Sequence, residues 1–339
     1  METLFRQNLL QWFAKNARQL PWRLKPNLYK TVVSEFMLQQ TQVKTVLPYF
    51  ERWMAHYPNF QVLADADEAE IMRDWAGLGY YSRARNLHAF AKKYCENPIT
   101  SFSELKQVNG IGDYTAAAIA SISFNEPVAV VDGNVVRVLA RIFNHTEAFS
   151  TKSLAVQFFR NKAQNLLDKT QPGKFNEALM ELGSVCCTKQ NPTCLECPLR
   201  SLCEAFKADT VAECPKFVQL QRSFAKRERI WLLNENCLLL EPSAIGGRSK
   251  LLELPFLTQD RKNFLGKIEF FFKGKRSIGT VSYTEEVFQP ERGLAIHKLP
   301  QFEPFQGCIS IPLEQLPTCI LSGPHKRWIL QMLKRLNVE

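Results

Sequence analysis

The stretch from Leu105 to Ala140 constrains the fold more than any other part of the chain. It reads LKQVNGIGDYTAAAIASISFNEPVAVVDGNVVRVLA, a pattern that predicts a helix, a glycine turn, a helix, a loop and a further helix. We expect Gly110 and Gly112 to let the backbone turn tightly with positive φ. The next helix, predicted from Tyr114 to Ser121, would begin with free amides that can bind a phosphate. A glycine-capped turn between two packed helices is an equal alternative.

Asp132 stands where an apolar pair gives way to a helix predicted from about Asn134. This position is typical of an N-cap residue, whose side chain accepts hydrogen bonds from the first helical amides. The same carboxylate could also face a positive charge that develops during a reaction, and the two roles are compatible. Because helix amides stabilise the charged form, we expect a low pKa for Asp132.

Glu35 is the single acid in the predicted helical segment PNLYKTVVSEFMLQQTQVKTVLPYF. Val33, Phe36 and Met37 make its surroundings apolar. Removing a carboxylate from water raises its pKa, and a raised pKa suits a general acid that works near pH 7. A glutamate that reaches solvent from its helix is the alternative interpretation.

Four of the ten cysteines lie close together in the order C-x6-C-x2-C-x5-C. They are Cys187, Cys194, Cys197 and Cys203, and Cys186 directly precedes the first. Four such thiols indicate a metal ion or cluster, and zinc is the most general candidate. The amino-terminal residues predict an amphipathic helix instead of a secretory signal, so a disulfide framework is not expected.

Length and charge indicate the number of domains and the kind of partner. A chain of 339 residues favours two domains, and its hydrophobic content of 45% is sufficient for packed cores. The formal net charge of +10 and the isoelectric point near 9.1 favour a polyanionic partner. No apolar run is long enough to span a membrane.

The pattern along the chain predicts two domains joined by a linker. Residues 1–206 have the periodicity of helices, and residues 207–228 predict a basic linker. Residues 229–339 predict a small α+β domain. In that domain we expect strands in IWLLNENCLLLEP and KIEFFFKG, and helices in TQDRKNFLGK and HKRWILQMLKRL.

Two motifs together resemble the helix-hairpin-helix DNA glycosylase superfamily: GIGDYTAAAIAS and VDGNVVRVLAR. The segment SEFMLQQTQV narrows this resemblance to the adenine-DNA glycosylases of the MutY type. The family usually has LPGVG where this chain has VNGIG, so Asn109 replaces a proline. The resemblance implies a mainly helical glycosylase domain with an iron-sulfur loop, followed by a small Nudix-like α+β domain.

The resemblance also implies catalytic roles for three residues. Glu35 would protonate adenine, and Asp132 would stabilise the oxocarbenium-like sugar, which together make the two-carboxylate arrangement used on glycosidic bonds. Tyr114 occupies the position where endonuclease III-like enzymes carry a nucleophilic lysine. Since tyrosine cannot form a Schiff base, the chain would remove a base without cutting the strand. Simple packing of Tyr114 against a neighbouring helix is the alternative.

Further residues match positions that bind the cluster or the DNA in that family. The cysteine spacing is similar to that of its [4Fe-4S] loop. Gln40 and Tyr80 correspond to residues that wedge into the base stack during nucleotide extrusion. The residues that would line the adenine pocket or orient Asp132 are Trp22, Arg23, Glu177 and Asn134; each, taken alone, could equally be a core or surface residue.

The carboxy-terminal segment KLLELPFL resembles part of the Nudix-like domain that reads 8-oxoguanine in the same family. The Nudix hydrolase signature is absent, so we expect no pyrophosphatase activity. The nearest match to the lesion-reading loop is Arg276, Ser277 and Ile278, which makes Ser277 the candidate contact. An ordinary β-turn is an equal alternative.

We therefore expect a monomeric, monofunctional adenine-DNA glycosylase with one [4Fe-4S] cluster. Its partner would be double-stranded DNA containing adenine opposite 8-oxoguanine or guanine. No membrane association is expected, and in a bacterium the location would be the cytoplasm. A bifunctional endonuclease III-type glycosylase/lyase and a non-catalytic mismatch-binding protein are the alternatives.

Overall fold

The computed structural model describes residues 1–218, 223–234, 236–243, 251–291 and 296–336. The chain forms two compact units, Met1–Val218 and Gln219–Glu339. No helix of the described ranges has both the length and the apolar composition that crossing a membrane requires.

The first unit is almost entirely helical, as predicted. One pair of two-residue parallel strands, β1 (Ala148–Phe149) and β2 (Lys216–Phe217), is the exception. The helices are α1 (Glu2–Asn16), α2 (Leu28–Leu38), α3 (Val43–His56), α4 (Phe60–Asp65), α5 (Glu68–Asp74), α6 (Ser82–Glu96), α7 (Phe102–Leu105), α8 (Asp113–Phe124), α9 (Gly133–Ile142), α10 (Lys152–Leu166), α11 (Pro172–Val185) and α12 (Glu204–Lys207).

Two large apolar cores and one small cluster stabilise this unit. The first core includes α2, α3 and α6, and its fully buried residues include Val32, Phe36, Trp53, Leu87 and Phe90. The second includes α1, α9, α10 and α11, with Phe5, Leu139, Phe159, Phe175 and Leu182 at its centre. Burying each such side chain contributes about 1.5–3 kcal/mol before the entropy cost of folding.

Helix α8 lies between these two cores and contacts both α2 and α11. Small side chains from Ala116 to Ala118 allow the close approach. Gly173 of α11 packs on the α8 backbone so tightly that an added Cβ would lie 2.7 Å from the Ser121 carbonyl oxygen. The first turn of α8 also contacts both neighbours, because Tyr114 donates to the Met180 sulfur of α11 and Thr115 accepts from Gln39 at the end of α2.

The glycine turn before α8 differs from our expectation at one position. Gly110 has the predicted positive φ, at 83°. Gly112 is the N-cap of α8 with φ −88° and ψ 176°, an extended conformation that any residue can adopt. The prediction of positive φ at Gly112 was wrong, because a single left-handed residue suffices to turn the chain between α7 and α8.

The described residues of the second unit form an α+β domain. Its elements are β3 (Ser223–Ile230), β4 (Leu233–Asn234), β5 (Cys237–Pro242), β6 (Leu252–Glu253), α13 (Gln259–Leu265), β7 (Ile268–Ile278), β8 (Val281–Pro290), β9 (Ile309–Pro312) and α14 (Gly323–Arg335). In one sheet β3 pairs in parallel with β8, and β8 pairs antiparallel with β7. In another sheet β5 pairs antiparallel with β4, β6 and β9.

The predicted linker contains regular structure at both ends of its described part. Strand β2 pairs with β1, and β3 begins at Ser223. Residues 219–222 lie outside the described residues. The segment IWLLNENCLLLEP is not one strand, because Asn236 with φ 64° lies at a turn between β4 and β5.

A buried ionic network crosses the core of the second unit. Arg229 donates to Glu285 at 2.9 Å and to Glu253 at 2.9 Å, and Arg276 bonds the same two carboxylates. Burial raises the pKa of Glu253 and of Glu285, but the cationic partners lower it further. The net effect is a pKa of about 2 for each carboxyl group. The network explains how VSYTEEVFQP forms the central strand β8 although it contains adjacent acids.

Candidate active site

Glu35 lies in the last turns of α2 and is almost completely buried, with 6% of its surface exposed. Its Oε2 atom has no hydrogen-bond partner among the described residues. Burial raises the pKa of Glu35 to about 8, and the negative charges of Glu177 and Asp132 act in the same direction. The Tyr114 hydroxyl and the Arg23 cation lower that pKa in part. The side chain is thus a carboxylic acid at neutral pH, with one oxygen free to contact a ligand.

Asp132 caps the amino-terminal end of α9. The Val135 amide donates to its Oδ1 at 2.7 Å, and the Asn134 side-chain amide donates to its Oδ2 at 2.9 Å. Burial nevertheless raises the pKa of Asp132 above its ordinary value, and the hydrogen bonds offset only part of that effect. The expectation of a low pKa was wrong, because desolvation outweighs the helix amides here.

Asn134 is held in place on both sides. Arg137 donates to the Asn134 Oδ1 at 3.0 Å and also to the carbonyl oxygens of Gly183 at 2.6 Å and Cys187 at 2.8 Å. An added Cβ on Gly183 would lie 2.8 Å from the Asn134 Cβ. The orientation of the amide that bonds Asp132 is therefore fixed by α11 and by the start of the cysteine loop.

Tyr114 lies in the first turn of α8 beside both carboxylates. Its hydroxyl donates to the Met180 sulfur at 3.4 Å. Burial, together with the negative charges of Glu35 and Asp132, raises the pKa of Tyr114 well above its ordinary value. Tyr114 is therefore a neutral phenol, and Glu35, Asp132 and Tyr114 form a cluster in the sense that their charges and hydroxyl group affect one another's pKa values.

Arg23 and Glu177 form an ion pair at the edge of this cluster. The Arg23 Nε donates to Glu177 at 2.9 Å, and its Nη2 donates to Glu181 at 3.1 Å. Glu181 is fully buried and also accepts from the Arg18 Nε at 2.6 Å. Burial raises the pKa of Glu177, and Arg23 reduces the shift.

Trp22 differs from these residues because it belongs to the first apolar core. It is 8% exposed, and its ring meets the Phe50 ring edge-on at 5.2 Å. Its predicted contact with adenine stays a prediction.

Gln40 and Tyr80 are exposed, and both have left-handed backbone conformations. The φ angle is 57° at Gln40 and 48° at Tyr80, and 60% of the Tyr80 surface is accessible. Large side chains with positive φ are uncommon, so these positions indicate local strain that the surrounding structure supports.

The four clustered cysteines line one cavity together with Cys186 and Arg141. These five cysteines are all free thiols. The buried Arg141 donates to the Cys187 sulfur at 3.2 Å and to the Thr188 carbonyl at 2.8 Å. Among the described residues, no group of three or more His, Cys, Asp or Glu side chains is arranged to hold a single metal ion.

Ser277 lies near the end of β7, beside the two-residue turn that leads into β8. It is exposed, and its hydroxyl is 3.3 Å from that of Ser282. The neighbouring Arg276 points instead into the buried ionic network. Of the three residues predicted for lesion reading, Ser277 is the exposed one next to the turn.

Several residues around the site were not predicted from the sequence: Arg18, Glu181, Arg137 and Arg141. The spacing of Glu177 and Glu181, four residues apart on α11, places both carboxylates on one helix face. That spacing, with Arg18 and Arg23 five residues apart in the loop after α1, was a signal of paired charges.

Residues 33–165 match the family model described as "HhH-GPD superfamily base excision DNA repair protein". The fold agrees with solved structures. A thermostable thymine-DNA glycosylase aligns with a TM-score of 0.54 at 24% identity over 61% of this chain and 97% of that chain. A non-covalent endonuclease III-DNA complex gives 0.51 at 20% identity over 62% and 98%. The helical unit therefore has the same fold as these two structures, and residues 33–165 within it match the HhH-GPD model.

Similar proteins indicate which kind of DNA glycosylase the chain resembles. "Adenine DNA glycosylase" of Mus musculus is 45% identical over 218 residues, which are 60% of this chain and 42% of that protein. The human protein of that name is 45% identical over 216 residues, 60% of this chain and 39% of that protein. The protein of that name from Buchnera aphidicola is 41% identical over 212 residues, which are 61% of this chain and 60% of that protein. These matches confirm the resemblance to adenine DNA glycosylases, although the chain spans about 40–60% of those proteins' lengths.

Proposed function

We propose that this protein is a monofunctional DNA glycosylase that removes adenine mispaired with 8-oxoguanine or guanine. One observation carries the proposal: a buried, neutral Glu35 with an unpartnered oxygen shares a cluster with Asp132 inside an HhH-GPD domain. The names of its relatives support adenine as the base. The test is adenine release from an A:8-oxoguanine duplex, with an A:T duplex as control.

Glu35 supplies the proton that adenine needs to leave. Adenine is a poor anionic leaving group, so protonation at N7 lets the base depart neutral as the glycosidic bond breaks. With a pKa of about 8, Glu35 carries that proton at pH 7 and presents it in a site from which water is excluded. The resulting carboxylate then accepts a proton from the water that attacks the sugar.

Asp132 stabilises the sugar cation that is left when adenine departs. The Val135 amide and the Asn134 side chain donate to its two oxygens, and such bonds favour the charged form of the carboxylate. When two nearby carboxyl groups share one proton, the more buried Glu35 holds it and Asp132 stays negative. Asp132 acts through charge or through a transient bond to the sugar carbon, which water then breaks.

Tyr114 makes the reaction monofunctional in this proposal. A lyase step needs an amine that forms a Schiff base with the sugar, and a neutral phenol beside Glu35 cannot form one. Borohydride should therefore trap no covalent complex with abasic DNA. A trapped complex would favour the bifunctional alternative, and tight mismatch binding without base release would favour the non-catalytic one.

The DNA contacts follow from the same arrangement. Adenine must leave the base stack to reach a buried acid. Gln40 and Tyr80 are exposed side chains suited to fill the gap, and Arg23 and Glu177 line the pocket for the extruded base. The amides at the start of α8 would bind a backbone phosphate.

Gly110 and Gly112 offer a matched test of that hairpin. A Cβ on Gly110 would lie 2.2 Å from the Asn86 Nδ2 and 2.9 Å from its Cβ, and the φ of 83° adds strain. We expect Gly110→Ala to lose about 1–3 kcal/mol of stability, measured by urea unfolding.

Gly112→Ala should keep its stability within about 1 kcal/mol: in the described parts of the chain no atom beyond the two adjoining residues lies within 4 Å of the added Cβ, and the remaining cost is that alanine is a poorer N-cap than glycine. Its affinity for duplex DNA should fall, since the methyl group stands where a phosphate would approach. Equal stability loss in both variants would contradict this description of the hairpin.

The cysteine loop fits one [4Fe-4S] cluster. The thiols of Cys187, Cys194, Cys197 and Cys203 line one cavity, and thiolates are the usual ligands of iron-sulfur clusters. The buried Arg141 cation donates to the Cys187 sulfur and would be balanced by the negative charge of ligated thiolates. When bound, the cluster would organise the loop from Cys187 to Cys203 through its four thiolates.

We predict brown protein with broad absorption near ~400 nm and about four irons per chain. Cys187→Ser should lower the iron content and the DNA affinity, because a loop without its ligand loses order. Cys186→Ser is the matched control and should retain both. Colourless protein with one zinc per chain, or equal losses in the two variants, would contradict the assignment.

The two units divide the work in this proposal. Every residue assigned to the chemistry lies in the helical unit. The second unit, which we propose to be Nudix-like and joined by the 207–228 linker, would read 8-oxoguanine through the β7–β8 turn near Ser277. An 8-oxoguanine differs from guanine at C8 and N7, and a site that bonds these atoms discriminates between the two bases.

A chain ending at Val218 should still excise adenine but lose most of its preference for A:8-oxoguanine over A:G. It must include residues 207–218, because Arg141 donates to the carbonyls of Val211 at 3.0 Å and Cys214 at 3.2 Å. Single-turnover rates on both duplexes measure the preference, after circular dichroism and iron content confirm folding.

Ser277→Ala in the full chain should shift the preference in the same direction, by about 1 kcal/mol for one lost hydrogen bond. A shortened chain that kept its full preference would assign lesion reading to the helical unit.

A further inference from the structure

Arg83 is a buried cation that the proposed chemistry does not use. It lies in the first turn of α6 and is 5% exposed. Its Nη1 donates to the carbonyl oxygens of Met37 at 2.7 Å and Gln39 at 2.6 Å, and to that of Phe36 at 3.1 Å. These carbonyls form the end of α2, where helical acceptors lack partners and the helix dipole is negative. The guanidinium therefore caps the helix that carries Glu35.

The other arm of Arg83 reaches a second segment. Its Nη2 donates to the Thr41 hydroxyl at 3.1 Å and to the carbonyl oxygens of Leu78 at 3.0 Å and Gly79 at 3.1 Å. The Arg83 guanidinium thus bonds Gln39 and Thr41, the residues on either side of Gln40, and Gly79, the residue before Tyr80. Because the guanidinium is rigid, it fixes the distance between the two segments.

Gln40 and Tyr80 are the residues that these bonds surround. Both are exposed and left-handed without being glycine. Such conformations persist where neighbouring contacts determine them, and the carbonyls of Gln39 and Gly79 supply those contacts through Arg83. The guanidinium also lies 5.5 Å from the Tyr80 ring centre and 5.4 Å from that of Trp75.

We propose that Arg83 is a positioning residue that holds Gln40 and Tyr80 side by side as one preformed wedge for duplex DNA. The inference rests on the proposed function, because a wedge serves a protein that extrudes a nucleotide. An amide and an aromatic ring held together fill the gap in a base stack without the ordering cost of two mobile loops. Arg83 touches neither adenine nor the sugar in this arrangement.

The experiment compares extrusion-dependent and extrusion-relieved substrates in single-turnover kinetics. Arg83→Met should slow adenine release from a paired A:8-oxoguanine duplex by about tenfold or more, the effect of a wedge that no longer preforms. Release of adenine opposite a stable abasic analogue should stay within about threefold of wild type, because an unpaired base costs less to extrude. Arg85→Met is the matched control: Arg85 lies on the same helix, is exposed, and pairs with Glu68 at 3.2 Å. It should leave both rates unchanged.

Two milder variants keep the test decisive if Arg83→Met does not fold. Arg83→Lys retains the charge but not the fork, and should again slow only the paired substrate. Thr41→Val removes a single acceptor from Arg83 and should slow the paired substrate by about twofold to threefold, with the abasic substrate unchanged. Equal slowing on both substrates in the folded variants would overturn the inference and make Arg83 a support of the Glu35 helix alone.

Fluorescence of 2-aminopurine placed at the adenine position separates this inference from the proposed function. The fluorescence should increase when the wild-type protein binds and unstacks the 2-aminopurine. It should increase less when the Arg83 variants bind, whether or not a base is released. A wild type that unstacks the base but releases no adenine would refute the glycosylase proposal and leave the wedge intact. Unstacking that is the same in wild type and in the folded Arg83 variants would refute the wedge.

Discussion

Glu35→Gln should slow adenine release by about 10²–10⁴-fold, the usual contribution of a general acid. Glutamine keeps the shape of the side chain and a hydrogen-bond donor, but it cannot transfer a proton to adenine N7. Affinity for the mismatched duplex should stay within about tenfold, or ~1.4 kcal/mol, of wild type. Single-turnover release and a binding titration on the same duplex measure the two effects.

Glu51→Gln is the matched control for that substitution, because Glu51 is an exposed acid on the neighbouring helix α3. It should release adenine at the wild-type rate. Release by Glu35→Gln at a rate near wild type would remove Glu35 from the mechanism.

The pH profile follows from the same carboxyl group. Glu35 must carry a proton to act as the acid, so the rate should fall as the pH rises through about 8. The free energy of unfolding should change in the same direction. Between about pH 4.5 and about pH 8, Glu35 keeps its proton in the folded state but has lost it in the unfolded state. The protein should therefore become less stable as the pH rises through this range. Glu35→Gln lacks this dependence, so its stability relative to wild type should increase from pH 5 to pH 8.

Asp132→Asn should also slow adenine release severely, by a factor on the order of 10²–10⁴, because the neutral side chain no longer stabilises the sugar cation. Its stability should stay within about 1 kcal/mol of wild type, since asparagine caps a helix as well as aspartate does. The Val135 amide would still find an acceptor.

Asp132→Ala separates the chemical role from the cap. It should be as slow as Asp132→Asn and about 0.5–2 kcal/mol less stable, because the first turn of α9 loses its acceptor. Thermal melts and single-turnover rates on both variants give the comparison. If Asp132→Asn released adenine at a rate near that of wild type, the only function of Asp132 would be to cap the helix.

The helical unit was predicted well because its signals are local. Apolar periodicity predicts α8 and α9, and the cap at Asp132 follows from an acid placed before a helix. The segment predicted as one helix around Glu35 instead forms α2 and α3, which residues 39–42 separate. The shift in the pKa of Asp132 could not be predicted, because its sign depends on how deeply the folded chain buries the carboxylate. The same limit applies to Gly112, whose φ is determined by where α8 begins.

The residues that the sequence did not predict act across long distances in the chain. Arg83 bonds carbonyls more than forty positions earlier, and Arg141 bonds the cysteine loop more than forty positions later. In the second unit, the buried Glu285 accepts from Arg229, which lies 56 positions earlier in the chain, and from Arg276. No local pattern specifies such partners, because they come together only when the chain is folded.

Chemical analysis of the products of one incubation is a direct test of monofunctional adenine removal. Purified protein is incubated with a duplex that contains a single A:8-oxoguanine pair, and free adenine and strand length are measured together. A monofunctional adenine glycosylase should release one adenine per duplex, leave the strand intact until alkali is added, and release none from the matched A:T duplex. An intact base after prolonged incubation, or strand cleavage without alkali, would contradict the proposed function.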